Sequence, residues 1–178
     1  MTLPIEKILI SKDQIHQKVR DLAKNISRDY KSEPVVLISV LKGSIVFLVD
    51  LMREMALDVE IGFMYLSSYQ GETSPQTEIR HISLPCPELG DRHVILVEDI
   101  LDTGASLDYA YRWCAEHKPK SLKTCVFLIK DEIERPNIPI HYHGFHIPNE
   151  FVVGYGLDYQ ERYRHLPYIA VPHLGESS

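Results

Sequence analysis

Four apolar residues, Val94-Ile95-Leu96-Val97, run directly into two adjacent carboxylates, Glu98-Asp99. After Ile100-Leu101 the chain reads Asp102-Thr103-Gly104-Ala105-Ser106, and then a helical pattern begins. An apolar run of this kind, bounded by charge, predicts a strand buried on both faces, and such strands belong to sheets covered by helices on each side. The turn after it carries a glycine and two hydroxyls just before a helix. Backbone N–H groups at a helix start are unpaired and partly positive, so this turn is suited to phosphate. The acid pair is the oddity, because carboxylates repel phosphate. It makes sense if the ligand also presents hydroxyls, a metal cation, or a charge that becomes positive during reaction.

The flanking sequence repeats the strand-turn-helix theme. Pro34 to Leu41 is a second buried-strand pattern; it ends in Lys42-Gly43-Ser44, and a helix is expected from Ile45 to about Ala56. Leu122 to Ile129 is a third such strand, ending in Lys130-Asp131. Before these, Ser11 and Gln14 have the spacing of a capping box, and Ile15, Val19, Leu22 and Ile26 recur at helical spacing, which predicts a packing helix over 11–30. Residues 58–84 read as a long hairpin: Asp58 to Tyr69 alternates Val59, Ile61, Phe63 and Tyr65 against Glu60, Gly62 and Met64, and the polar stretch 70–78 is its loop. The helix after Ser106 is expected to run to about His117, before Pro119. Residues 132–150, with three prolines, read as irregular, and 151–159 as a last strand with Asp158 near its end. Alternation of strands and helices makes this one α/β domain with a mainly parallel sheet.

Composition narrows the function classes. At 178 residues the chain buries a core without staples. A net charge of −6 offers no global basic field for nucleic acid. No apolar run reaches the roughly 18 residues of a membrane span. Cys86, Cys114 and Cys125 form no CxxC pair, and an odd count with no secretion signal suits a reducing cytoplasm. His141, His143 and His146 match no zinc spacing and are expected to be solvated or hydrogen-bonded. The glycine spacing fits neither GxxxxGK[ST] nor GxGxxG.

The polar residues expected at C-terminal strand ends are Lys42, Glu98, Asp99, Asp102, Lys130 and Asp158, the edge where α/β sheets gather ligands. An anion cradle calls for a phosphomonoester, and an acid pair calls for a diol, Mg²⁺ or a developing cation. A sugar phosphate that loses a leaving group at its anomeric carbon supplies both a diol and oxocarbenium-like charge.

VILVEDILDTGAS, residues 94–106, resembles the signature of the type I phosphoribosyltransferases. Leu41-Lys42-Gly43 resembles their pyrophosphate loop, Ser68-Tyr69 the dipeptide of their mobile loop, and 151–159 their base-binding and metal segment. Within that family the likeness is to the purine-specific members of short bacterial kind. The resemblance implies a parallel sheet flanked by helices over about 33–131, a small hood from about 1–20 and 132–178, and a flexible hairpin lid at roughly 67–79. It implies that Glu98 and Asp99 meet the ribose hydroxyls, partly through Mg²⁺, with Ile100 and Leu101 lining the site. Asp102 would exchange a proton with N7 of the purine, and Thr103, Gly104, Ala105 and Ser106 would cradle the 5′-phosphate. Lys130 would bond the 6-oxo group, Phe151 would stack on the base, and the Val152 backbone would bond its edge. Lys42, Gly43 and Arg164 would hold pyrophosphate, and Asp158 a second Mg²⁺. The family's implied partners are phosphoribosyl pyrophosphate and a 6-oxopurine, in a homodimer or homotetramer, without nucleic acid or membrane. Ser44, Ala105 and Asp131 depart from residues found in other members and bear on substrate preference.

Overall fold

The computed structural model describes residues 4–69, 78–131 and 137–173. In chain order its elements are β1 (Ile5–Ile10), α1 (Lys12–Tyr30), β2 (Val35–Leu41), α2 (Ile45–Glu54), β3 (Val59–Tyr69), β4 (Glu78–Ser83), β5 (His93–Leu101), α3 (Ala105–Glu116), β6 (Ser121–Lys130), β7 (Tyr142–Ile147) and β8 (Ile169–Pro172). Six strands form one sheet in the order β4-β3-β2-β5-β6-β7. Only the β3–β4 pair is antiparallel; β2, β3, β5, β6 and β7 run parallel. A separate antiparallel ribbon pairs β1 with β8, near the two chain ends.

The unbroken apolar runs have a direct cause. In β2, Val35 and Leu37 join the core on the α1 and α2 side, while Val36, Ile38 and Val40 join the core under α3. In β5, Ile95 and Val97 go one way and Val94 and Leu96 the other. Successive side chains of a strand alternate faces, and here both faces are covered, so nearly every position is apolar. Helix α1 lays Ile15, Val19, Leu22 and Ile26 on the first face and starts with the expected capping box, in which Ser11 and Gln14 bond reciprocally.

Two expectations need correcting. Residues 132–150 are not irregular throughout, since Tyr142–Ile147 is β7, the parallel edge strand beside β6. Residues 151–159 are not a regular strand: Val153 bridges to Ala170, and Gly154, Tyr155 and Gly156 take φ of 100°, 48° and 101°, which folds the segment into turns. Asp158 therefore lies in a turn and not at a strand end. In β3, Met64 is buried at 1% exposure and Ile61 exposed at 38%, while Val59 and Phe63 are half-buried against the core on the α1 and α2 side.

The histidines of the 141–146 run have specific partners. Thr124 N–H donates to His141 Nδ1 at 3.1 Å, and His146 lies 3.1 Å from Asp131. Cys114 and Cys125 are buried free thiols in the core, and Cys86 is a half-buried one. No helix among the described residues is long and apolar enough to cross a membrane.

Candidate active site

The parallel strands β2, β5 and β6 end together, and the segments leaving those ends meet at one edge of the sheet. Strand β2 turns through Lys42-Gly43-Ser44 into α2, and the Leu41–Lys42 peptide is cis. Ser44 is buried, its hydroxyl in contact with Ser39 Oγ at 2.6 Å and donating to the Val40 carbonyl. Gly43 is required by close approach, because a Cβ there would overlap Asp99 Oδ2. Gly156 is fitted the same way against the Gly43 carbonyl. The turn after β2, the acid at the end of β5 and the 154–158 turns are thus in direct contact, although far apart in sequence.

The two acids have different surroundings. Glu98, with 7% exposure, lines a cavity of ≈ 180 Å³ with Ile100, Leu101, Asp102, Thr103, Gly104, Ser106 and Leu107. Its Oε2 is buried and has no hydrogen-bond partner among the described residues. Burial, and then the neighbouring Asp99, push its carboxyl well above the usual range. Asp99 faces Gly43. Burial raises its carboxyl to about 6, although N–H donors of its own backbone and Ile100 and the charge of Arg164 act the other way, and Asp158 adds to the rise.

The turn after β5, expected to cradle phosphate, leads directly into α3 (Ala105–Glu116). Gly104 caps α3 with φ 79°, a conformation that glycine adopts without strain, and its carbonyl accepts from Asp108 N–H at 2.9 Å. Ala105 N–H reaches Thr103 Oγ1 at 3.4 Å. Asp102 stands at the rim, 56% exposed, and its Oδ2 is 3.2 Å from Lys130 Nζ at the end of β6. Two residues assigned separate roles from sequence are here an ion pair.

The last group comes from the turns. Phe151 is exposed at 45%, with Tyr159 edge-on to its ring at 5.9 Å, and Val152 beside it is buried. Asp158 Oδ1 holds Arg164 at 2.9 Å, its Oδ2 accepts from Glu161 N–H at 2.8 Å, and Arg164 also donates to the Gly156 carbonyl at 2.8 Å. Ser68 and Tyr69 close β3 opposite Ile79 and Glu78. The side chains of Ser68 and Tyr69, and the loop at 70–77 expected as a lid, lie outside the described residues.

The turn before α3, the acids of β5 and the glycine-fitted turn after β2 come together along a chain that matches the phosphoribosyl transferase domain over residues 11–160. The chain belongs to the phosphoribosyl transferase family. It is 40% identical over 167 residues to a hypoxanthine-guanine phosphoribosyltransferase of Streptococcus pyogenes, covering 94% of this chain and 93% of the relative. A solved hypoxanthine-guanine phosphoribosyltransferase of Bacillus anthracis superposes with a TM-score of 0.88 at 41% identity, over 97% of this chain and 100% of that one. A Trypanosoma cruzi hypoxanthine phosphoribosyltransferase, solved as a ternary substrates complex, gives 0.88 at 38% identity over 96% of each chain.

For a phosphoribosyl transferase the donor set suits a hard cation. The acids offer only carboxylate oxygens, and one of these, on Glu98, is buried and unpartnered among the described residues. Among the same residues no three His, Cys, Asp or Glu side chains gather as a metal cage. Carboxylate oxygens are the donors Mg²⁺ takes, one or two of them together with waters and substrate phosphates.

Sequence reasoning missed Glu161. Its carboxylate holds Lys42 at 2.8 Å through Oε2 and Arg164 at 3.4 Å through Oε1. The bond from Lys42 is the main reason its carboxyl lies below the usual range. Lys42 and Glu161 are 119 positions apart, so no local pattern announces the pair.

Proposed function

We propose that this chain is a purine-salvage enzyme that transfers the 5-phosphoribosyl group of phosphoribosyl pyrophosphate to hypoxanthine and guanine, giving IMP or GMP and pyrophosphate. The observation that carries the reading is the Lys130–Asp102 pair, 3.2 Å apart beside the phosphate turn. A 6-oxopurine presents O6 and N7 side by side on one edge. A lysine donor and a carboxylate placed together match that edge, the first giving a hydrogen bond to O6 and the second exchanging a proton at N7. Adenine would set an amino donor against the lysine donor.

The remaining roles are those that the family resemblance implies. The turn Thr103 to Ser106 holds the 5′-phosphate by its N–H groups and hydroxyls, at the N-terminus of α3. Glu98 and Asp99 take the ribose hydroxyls and stabilise positive charge on the sugar as the C1–oxygen bond breaks, its electron pair leaving on pyrophosphate. A ring nitrogen of the base bonds to C1, and the proton the base sheds passes to Asp102. Lys42, Gly43 and Arg164 hold pyrophosphate, Phe151 stacks on the base, and the Val152 backbone bonds its edge. Mg²⁺, when bound through Glu98, Asp99 and Asp158, supplies charge neutralisation for the leaving group. Ser68 and Tyr69 belong to the segment that excludes water, which would otherwise hydrolyse the sugar donor. A single cytoplasmic domain with a core at about 33–131 and a hood from 1–20 and 132–178, assembled as a homodimer or homotetramer, completes the reading.

The test is pyrophosphate release from phosphoribosyl pyrophosphate and Mg²⁺ with hypoxanthine, guanine, xanthine and adenine in parallel. Turnover with hypoxanthine and guanine is expected; use of adenine alone would contradict the assignment.

A further inference from the structure

Glu161 has contacts that the reaction scheme does not use. Its two carboxylate oxygens lie on two different cations, Oε2 on Lys42 and Oε1 on Arg164, at 2.8 and 3.4 Å. These are the cations assigned above to pyrophosphate, and a carboxylate between them offers what a phosphoryl group offers, two anionic oxygens at bonding distance. The fold has little need of the contact. The Glu161 side chain is 65% exposed and that of Lys42 48%, and exposed ion pairs add little to stability. The backbone is nevertheless bent to place it. Gln160, Glu161 and Tyr163 all have left-handed φ, of 53°, 62° and 74°, though none is glycine. The turn is closed by mutual Tyr159 and Arg162 hydrogen bonds of 3.0 and 3.1 Å and by Glu161 N–H on Asp158. Non-glycine residues in this conformation carry strain and tend to cluster at functional positions.

We propose that Glu161 is a built-in competitor for the pyrophosphate subsite. Its carboxylate holds Lys42 and lies against Arg164, whose nearer partner is Asp158 at 2.9 Å, and the pyrophosphoryl group of the substrate displaces it. The residue thereby sets the affinity for both phosphoribosyl pyrophosphate and product pyrophosphate, leaving affinity for the base alone. This rests on the assignment of Lys42 and Arg164 to pyrophosphate.

The experiment is calorimetric titration of the full chain with inorganic pyrophosphate and with phosphoribosyl pyrophosphate, both with Mg²⁺, beside steady-state kinetics. Wild type, Glu161→Gln, Lys42→Met and the double variant are compared. Glu161→Gln is expected to bind both ligands about threefold more tightly, the size of effect an exposed ion pair yields. Its KM for phosphoribosyl pyrophosphate falls in step and its KM for hypoxanthine stays fixed. In the Lys42→Met background most of that gain disappears, since one of the two contested cations is gone. Unchanged or weaker pyrophosphate binding in Glu161→Gln, with wild type active, overturns the competitor role and leaves the transferase reading standing. A wild type that neither binds pyrophosphate nor turns over any purine overturns both.

Discussion

Strand β5 has charged groups at both ends, and the ends are built on opposite rules. At its start, His93 sits between Ser121 Oγ at 2.7 Å and Glu33 at 3.0 Å, and Glu33 also holds Lys120 at 2.6 Å. Close by, Asp29 accepts from the Tyr142 hydroxyl at 2.8 Å and from Lys123 at 3.3 Å. Bonds from these donors hold both carboxyls below their usual range, led by Tyr142 for Asp29 and by Lys120 for Glu33. At the other end, Glu98 buries an oxygen with no partner among the described residues, and Asp99 is raised to about 6. One end satisfies its carboxylates within the fold. The other leaves them wanting hydrogen-bond donors and positive charge, at a cost to the folded state, and a ribose and a cation would supply both. On the proposed function, stability and function are concentrated at opposite ends of the same strands.

The largest effect is expected at the rim of the site. Asp102→Asn should lower turnover by about 10²–10⁴-fold, the range for a lost general acid–base, with Tm nearly unchanged because Asp102 is exposed. Near-normal steady-state turnover would remove Asp102 from its proton-carrying role. At the far end, Asp29→Ala should do the reverse. It strips two donors of their acceptor and should cost about 1 kcal/mol, a Tm loss of a few degrees, with KM and kcat unaltered. A loss of activity there would break the division between the ends. Smallest is Glu33→Gln, since Glu33 is exposed: a barely detectable fall in Tm, read by the same thermal melts.

Much of this division could be read from residue types. A strand buried on both faces admits almost no charge, so Glu98 and Asp99 stood out without any knowledge of the fold, and the Ser11–Gln14 cap and Pro119 bracketed the helices locally. What escaped was decided over long range. Strand β7 is an edge strand interrupted by His143, Gly144 and His146, so neither its periodicity nor its apolar content marked it. Residues 151–159 are rich in strand formers, yet Gly154 and Gly156 take positive φ and fit against the Tyr168 and Gly43 carbonyls, which turns the segment away from a sheet. Asp102 with Lys130, and Lys42 with Glu161, are pairings that only the folded chain brings together.

On the function proposed here, the acids at the end of β5 serve a ligand at the expense of the fold. An acid whose carboxyl is raised from 3.8 to about 6 costs the folded state nothing while both folded and unfolded forms are protonated. The cost develops as pH rises between those values and is full above them, at on the order of 2–3 kcal/mol. The direct measurement is thermal unfolding of ligand-free Asp99→Asn beside wild type from pH 4 to pH 7.5, with pyrophosphate release assayed on the same preparations. The variant is predicted to lose turnover yet melt higher than wild type at pH 7.5, by about 5 °C, and the gap is predicted to close as pH falls towards 4. A variant that melts lower at pH 7.5, or that keeps its turnover, would contradict this.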